Sequence, residues 1–182
     1  MLEEVILVNA DDHAIGRMEK MEAHEKGLLH RAFSILILNE KGEMLIQQRA
    51  MEKYHSPGLW TNACCSHPRP NESNLDAAYR RLQEEMGMKT SIKEIFQFTY
   101  RAELEDGLIE HEIDHVFYGL SNENPNINSA EVMDFKWVDL SELQKDITLH
   151  PVKYTAWFKL LMVDHLSSIE KALKNFKEKL PH

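Results

Sequence analysis

Cysteine is nearly absent from this chain, and the two residues it has, Cys64 and Cys65, are adjacent. Neighbouring Cα atoms stand about 3.8 Å apart, short of the ~4.4–6.8 Å an ordinary disulfide spans. The pair is therefore a poor candidate for a structural bridge, and there is no third cysteine to accept either sulfur. At least one is expected to be a working thiol or a buried one. Long apolar runs are missing as well. No segment approaches the ~18–20 residues that cross a bilayer, and the opening "MLEEVILVNADD" lacks the basic start and small-residue cleavage site of a signal peptide. The expectation is a cytoplasmic protein with no membrane partner. Basic runs are equally scarce: 21 Lys and Arg face 30 Asp and Glu, for a net charge of -9. A nucleic-acid binder needs a phosphate-neutralising surface, so nucleic acid is not an expected partner.

What remains is an ordinary globular composition, 43% hydrophobic and 28% charged, on the wrong side of the boundary for disorder. At 182 residues and 21.2 kDa the chain is long enough for one domain with a real core and a cleft. There is no repeat, low-complexity tract or linker to divide it. "EVILVN" followed by "ADDHAIG" reads as a strand and a turn. "HRAFSILILN" and "KGEMLIQQRA" are strand-like runs around a short turn, a hairpin. Residues 51–72 read as a loop rich in Pro, Asn and His. In "SNLDAAYRRLQEEMG" the residues Leu75, Ala78, Tyr79, Leu82 and Met86 recur at helical spacing. Ser73 with Asp76 resembles a capping box, and Gly87 suits the stop. "IFQFTYRAEL", "IEHEIDHVFYGL" and "FKWVDL" read as strands, and "SELQKDI" as a short helix. From Thr155 onward, Phe158, Leu161, Leu166, Ile169, Leu173, Phe176 and Leu180 form one stripe of a docking C-terminal helix. The expected fold is α+β, a mixed β-sheet flanked by α-helices, as a single domain over residues 1–182.

Three constellations carry chemistry. On the helix, Arg81, Glu84 and Glu85 lie at i, i+3 and i+4. Carboxylates clustered there are hard oxygen ligands suited to Mg²⁺ with a phosphorylated substrate, or else members of a solvated face with Arg–Glu pairs. In "IEHEID", Glu110 and Glu112 share a strand face two residues apart, and could bind one ion or act as acid and base. His111, Asp114 and His115 make both faces of that strand polar. Histidines His24, His30 and His67 come from three segments; together with the two glutamates they would suit Mn²⁺ or Zn²⁺.

The wider spacing points to a family. Ser66, Glu72, Arg80, Glu84, Glu85 and Gly87 fall where the Nudix box has Gly, Glu, Arg, Glu, Glu and Gly. Ser66 replaces the first Gly, and Arg81 stands where the box has a metal-binding Glu. "TNACCSHP" together with "HRAFS", "PGLWTN", "EEMGM" and "IEHE" resembles the type 1 isopentenyl-diphosphate isomerases, Nudix-like metalloenzymes, from residue 4 to about residue 160.

That resemblance implies roles. Cys65 would be the catalytic thiol, and Cys64 a neighbour without a chemical task. His24, His30, His67, Glu110 and Glu112 would hold a tight Mn²⁺ or Zn²⁺, with Glu112 catalytic as well. Glu85 would hold Mg²⁺ with the substrate diphosphate, and Lys20, Arg49, Lys53 and Arg81 would contact that diphosphate. Tyr100 and Trp157 match active-site aromatics. The implied reaction protonates an unactivated alkene and removes a proton from the other side of a tertiary carbocation. It uses a small-molecule diphosphate, and a monomer is expected. The competing readings are a Nudix hydrolase of a nucleoside diphosphate derivative, for which Arg81 costs one carboxylate, and a non-catalytic binding domain.

Overall fold

The computed structural model describes residues 3–177. In chain order its strands are β1 (Glu4–Val8), β2 (Ala14–Glu19), β3 (His30–Leu38), β4 (Glu43–Arg49), β5 (Trp60–Asn62), β6 (Cys64–Ser66), β7 (Ile92–Glu103), β8 (Ile109–Leu120) and β9 (Val132–Asp139). Its helices are α1 (Lys20–Lys26), α2 (Asn74–Met86), α3 (Leu140–Leu149), α4 (Ala156–Asp164) and α5 (Leu166–Lys177).

β3 is the spine. Its apolar run is nearly continuous because both faces are covered. Leu36 and Leu38 enter a core with Trp157, Phe158, Leu161 and Met162. Phe33, Ile35 and Ile37 enter the other, beneath Ala77, Ala78, Leu82 and Met86 of α2. Along one edge β3 pairs in parallel with β8 from His30↔Glu112 to Leu38↔Leu120. The other edge is divided between β1, β6 and β4. β8 in turn pairs antiparallel with β7, and β4 with β5 and β9. The result is a mixed sheet between helical layers, as expected.

Several details differ from the sequence reading. The β3–β4 hairpin holds only at its closed end, Ile37↔Leu45 and Leu38↔Met44. Beyond that, β6 occupies the edge of β3 while β5 and β9 occupy β4. The stretch 51–72 is thus not all loop, since β5 and β6 are threaded through it. β2 and α1 went unrecognised. β2 is mostly exposed and lacks apolar alternation, and α1, at seven residues, is shorter than the window that reveals a helical period. On α2, Leu75 and Tyr79 are exposed while Ala77 is fully buried, so the small side chains mark the packed face. The C-terminal helix is broken at His165 into α4 and α5. Phe158, Leu161 and Ile169 are buried; Leu180 and the side chains of Leu173 and Phe176 lie outside the described residues.

The termini of α2 follow the sequence closely. Ser73 caps it by accepting from the Asp76 amide, and Gly87 closes it in the left-handed region at φ 62°. A Cβ at Gly87 would sit 2.5 Å from the Asn126 carbonyl oxygen. Left-handed strain on a non-glycine residue costs about 1–3 kcal/mol, and the backbone clash adds to it. Gly87→Ala should therefore lower stability by about 2 kcal/mol or more in a denaturant titration. A midpoint equal to the parent's would refute this account of the helix stop.

Candidate active site

The register of β3 and β8 sets His30 directly opposite Glu112. Two further imidazoles reach the same carboxylate, His24 from α1 and His67 from just beyond β6. Their Nε2 atoms lie 4.0 Å (His24), 3.3 Å (His30) and 2.9 Å (His67) from Glu112 Oε1. All four residues are buried. His24 Nδ1 bonds to the Lys20 carbonyl at 2.7 Å, and His30 Nδ1 to the Leu28 carbonyl at 2.8 Å. A carbonyl accepts only, so each Nδ1 carries its hydrogen and each ring turns its Nε2 toward Glu112. Both Nε2 atoms are buried without a hydrogen-bond partner. Burial, with the mutual repulsion of the rings, lowers His24, and lowers His67 to about 4 against the pull of Glu112. Lone pairs thus converge on a carboxylate with too few protons between them. That is what a divalent cation relieves, and backbone carbonyls on the far nitrogens are the usual way metal-ligating histidines are oriented. His24, His30, His67 and Glu112 fit a divalent metal.

Glu110 and Glu112 share a face of β8, and the Tyr100 hydroxyl lies between them, 2.6 Å from Glu112 Oε2 and 3.0 Å from Glu110 Oε2. Burial and the neighbouring charge raise Glu110 well above the ordinary carboxylate range. Burial also pushes Glu112 up, but the adjacent imidazoles of His30 and His67 outweigh it and hold Glu112 well below that range. The Tyr100 hydroxyl thus bridges the two carboxylates, donating toward both oxygens and closer to Glu112.

Cys65 approaches from the other edge of β3, where it pairs with Ser34. Adjacent strand residues point to opposite faces. Cys64 is fully buried under α2, and Cys65 opens into the cavity. Burial raises the Cys65 thiol far above its usual value, Arg49 opposing, so it carries its proton. Ser34 also donates at 2.8 Å to Asp114, which burial and the Glu112 charge push up to about 8.

The cavity is a partly open cleft lined by side chains of β3, β6, β7 and β8. One end is basic. Lys20 pairs with Glu3 at 2.8 Å, Lys53 with Glu131, and Arg81 with Glu85 at 2.5 Å and Glu131 at 3.2 Å. Arg49 donates to the His55 carbonyl at 3.0 Å and lies 5.3 Å from the centre of the Trp157 ring. Glu85 is buried and set one step back, taking bonds from Arg81 and from Gln47 at 3.0 Å. Trp157 is only 2% exposed. Its Nε1 donates to Asn62 Oδ1 at 3.3 Å, while Asn62 Nδ2 donates to the Cys64 and Ile35 carbonyls.

Residues 28–158 match the NUDIX domain. A Serratia proteamaculans protein named isopentenyl-diphosphate Delta-isomerase is 50% identical over 164 residues, covering 90% of this chain and 92% of that protein. One of the same name from Pectobacterium atrosepticum is 49% identical over 159 residues, covering 87% and 89%. The chain belongs to the isopentenyl-diphosphate Delta-isomerase family.

Solved structures bear out the fold. A Deinococcus radiodurans protein superposes with a TM-score of 0.75 at 18% identity, over 88% of this chain and 97% of that one. A MutT protein from Methanosarcina mazei gives 0.60 at 22%, over 74% and 90%. Within this isomerase-family chain, the altered Nudix helix has a physical explanation. Glu72 holds Arg80 through two bonds, at 2.7 and 2.8 Å, keeping the loop before α2 against the helix. Arg81 neutralises Glu84 and Glu85, where a hydrolase would gather carboxylates.

Of the residues anticipated for the site, all line this cavity except His24 and His30, which approach Glu112, and Glu85, which is bonded to Arg81. His55, Asn62, Gln47, Glu3 and Glu131 were not anticipated. His55 was visible only as one histidine in a His-rich loop, and Asn62 only as part of "PGLWTN". His55 is buried, with Nε2 3.5 Å from Glu110 Oε1. Burial, then Arg49 and His24, lower it to about 2.

Proposed function

We propose that this cavity interconverts isopentenyl and dimethylallyl diphosphate by delivering a proton from one side and removing another from the opposite side. The observation that carries this reading is that Cys65 and the Glu112–Tyr100 pair enter one cavity from opposite edges of β3. The chemistry needs one proton carrier full and the other empty. Cys65 holds its proton and Glu112 does not. The terminal alkene carbon gains a proton, a tertiary cation forms at the branched carbon, and the carbon next to it loses a proton to complete the shifted double bond. Trp157 supports the cation through its π face, an attraction of ~2 kcal/mol or more once desolvated, and an indole carbon does not trap it.

Lys20, Arg49, Lys53 and Arg81 bind the diphosphate, the two lysines and Arg81 exchanging carboxylate partners for phosphate oxygens. That remote binding energy positions the carbon chain. His24, His30, His67, Glu110 and Glu112 would hold Mn²⁺ or Zn²⁺, and Glu85 would hold Mg²⁺; when bound, these cations supply the positive charge that fixes Glu112 and neutralises the diphosphate. Both thiols are free, which suits a reducing cytoplasm.

The reading is tested by incubating isopentenyl diphosphate with the protein in deuterated water. Deuterium should enter the allylic product. Release of inorganic phosphate or pyrophosphate without deuterium would mean hydrolysis instead. A separate expectation concerns the tight ion: elemental analysis of purified protein should find about one Mn or Zn per chain, and strong chelation should abolish turnover. Fully active protein with neither metal would remove the tight site from this account.

A further inference from the structure

Asn62, the last residue of β5, is fully buried, and its amide uses both hydrogens and both lone pairs. Nδ2 donates to the Cys64 carbonyl at 2.7 Å and to the Ile35 carbonyl at 3.2 Å. Oδ1 accepts from the Thr61 hydroxyl at 2.9 Å and from Trp157 Nε1 at 3.3 Å. The amide cannot be turned over. An indole N–H only donates and a carbonyl only accepts, so a flipped group would set donor against donor and acceptor against acceptor. The Thr61 hydroxyl in turn accepts from that of Thr155 at 2.9 Å. Thr155 stands at the N-cap of α4, two residues before Trp157, but its side chain makes no capping bond. A threonine there ordinarily accepts from the first turn of its helix; this one turns its hydroxyl to β5 instead. Its amide also donates to β5, at the Trp60 carbonyl, 3.0 Å away. Thr61, Asn62 and Thr155 are all closed to solvent, so water does not compete for these bonds.

We propose that Asn62 is a positioning residue that fixes Cys65 and Trp157 relative to each other around the carbon chain of the substrate. This rests on the reading of those two side chains as groups that act on that chain. The Cys64 carbonyl and the Cys65 nitrogen belong to one planar peptide group. The bond from Asn62 to that carbonyl therefore fixes the plane from which the thiol projects. At its other end the same amide holds the indole by its N–H, which lies in the ring plane and leaves both π faces uncovered by that bond. Cys65 belongs to β6 and Trp157 to α4, and one rigid side chain spans the two elements. A displacement of about 1 Å at a reacting group can cost about 10²-fold in rate, so this tie bears on the chemical step. Among the described residues, the bonds of Asn62 reach none of Lys20, Arg49, Lys53 and Arg81, so binding of the diphosphate should not depend on it.

Asn62→Leu keeps the approximate shape and removes every one of these side-chain bonds. Its kcat should fall by about 10–100-fold, while KM and the affinity for inorganic pyrophosphate stay near the parent's. An unchanged kcat overturns the proposal. So does a parallel loss of kcat and pyrophosphate affinity, the signature of general damage to the fold. Thr61→Val is milder and decides the matter if Asn62→Leu does not fold. It takes one of the two donors from Oδ1, so kcat should fall several-fold at unchanged pyrophosphate affinity, and a parent-like kcat overturns the proposal. NMR of protein with isotope-labelled tryptophan reads the tie directly. The Trp157 indole N–H, identified by its absence in Trp157→Phe, should shift upfield in whichever variant folds, as its hydrogen bond is lost or loosened. A resonance that stays in place counts against Asn62 as its anchor. Cys65→Ala and Trp157→Phe are measured alongside. Full turnover in both would remove the reading beneath this proposal, and the proposal with it. Loss in both beside a parent-like Asn62→Leu overturns the positioning role alone.

Discussion

Cys65→Ala should abolish isomerisation while leaving the fold intact, and Cys64→Ala should keep most of the activity at a modest cost in stability. Cys65 lines the cavity and carries the only proton-bearing sulfur facing it among the described residues. A positioned acid or base contributes about 10²–10⁴-fold to a rate, so turnover should fall by at least that much. Cys64 is fully buried beneath α2, in one core with Ile35 and Leu82. Its truncation should cost about 1 kcal/mol of stability, the ordinary price of a small core deletion, with turnover within a few-fold of the parent. Turnover of both variants and their denaturant midpoints decide the matter. Equal loss of turnover in two well-folded variants would remove Cys65 from its role.

A substrate analogue with a tertiary ammonium in place of the cationic carbon should bind far more tightly than the substrate. Analogues of this kind commonly gain about 10²–10⁸-fold. If Trp157 faces that charge, Trp157→Ala should lose about 2 kcal/mol of the gain, roughly thirty-fold in affinity. Trp157→Phe should keep part of it, because a smaller ring still offers a π face. Inorganic pyrophosphate is the control. Arg49 lies over the indole but is also held by the His55 carbonyl, so pyrophosphate affinity should change by less than about tenfold. Truncating a buried tryptophan costs about 3–5 kcal/mol of stability, which makes the Phe variant the safer comparison. An ammonium analogue bound as tightly by the Ala variant as by the parent would show that Trp157 does not face the cation.

Sequence alone determined the strongly periodic parts of this protein. α2 was legible with its Ser73 cap and Gly87 stop, because capping and helical spacing are local properties. β8 was legible end to end, and Glu110 and Glu112 could be put on one face, because side chains alternate along a strand whatever the strand pairs with. The resemblance of "TNACCSHP" and "IEHE" to known isomerases named candidate ligands and a candidate thiol. What it could not supply was convergence. His24 sits on a helix of seven residues, too short to announce itself. His30 meets Glu112, and Cys65 meets Ser34, only through the pairing of β3 with β8 and β6, which joins segments about 30 to 80 residues apart. His55 looked like any loop histidine until burial set it against Glu110 and His24. The two cysteines show the division most plainly. Their adjacency excluded a bridge, but only the strand they lie on decided that one would point into the core and the other into the active site.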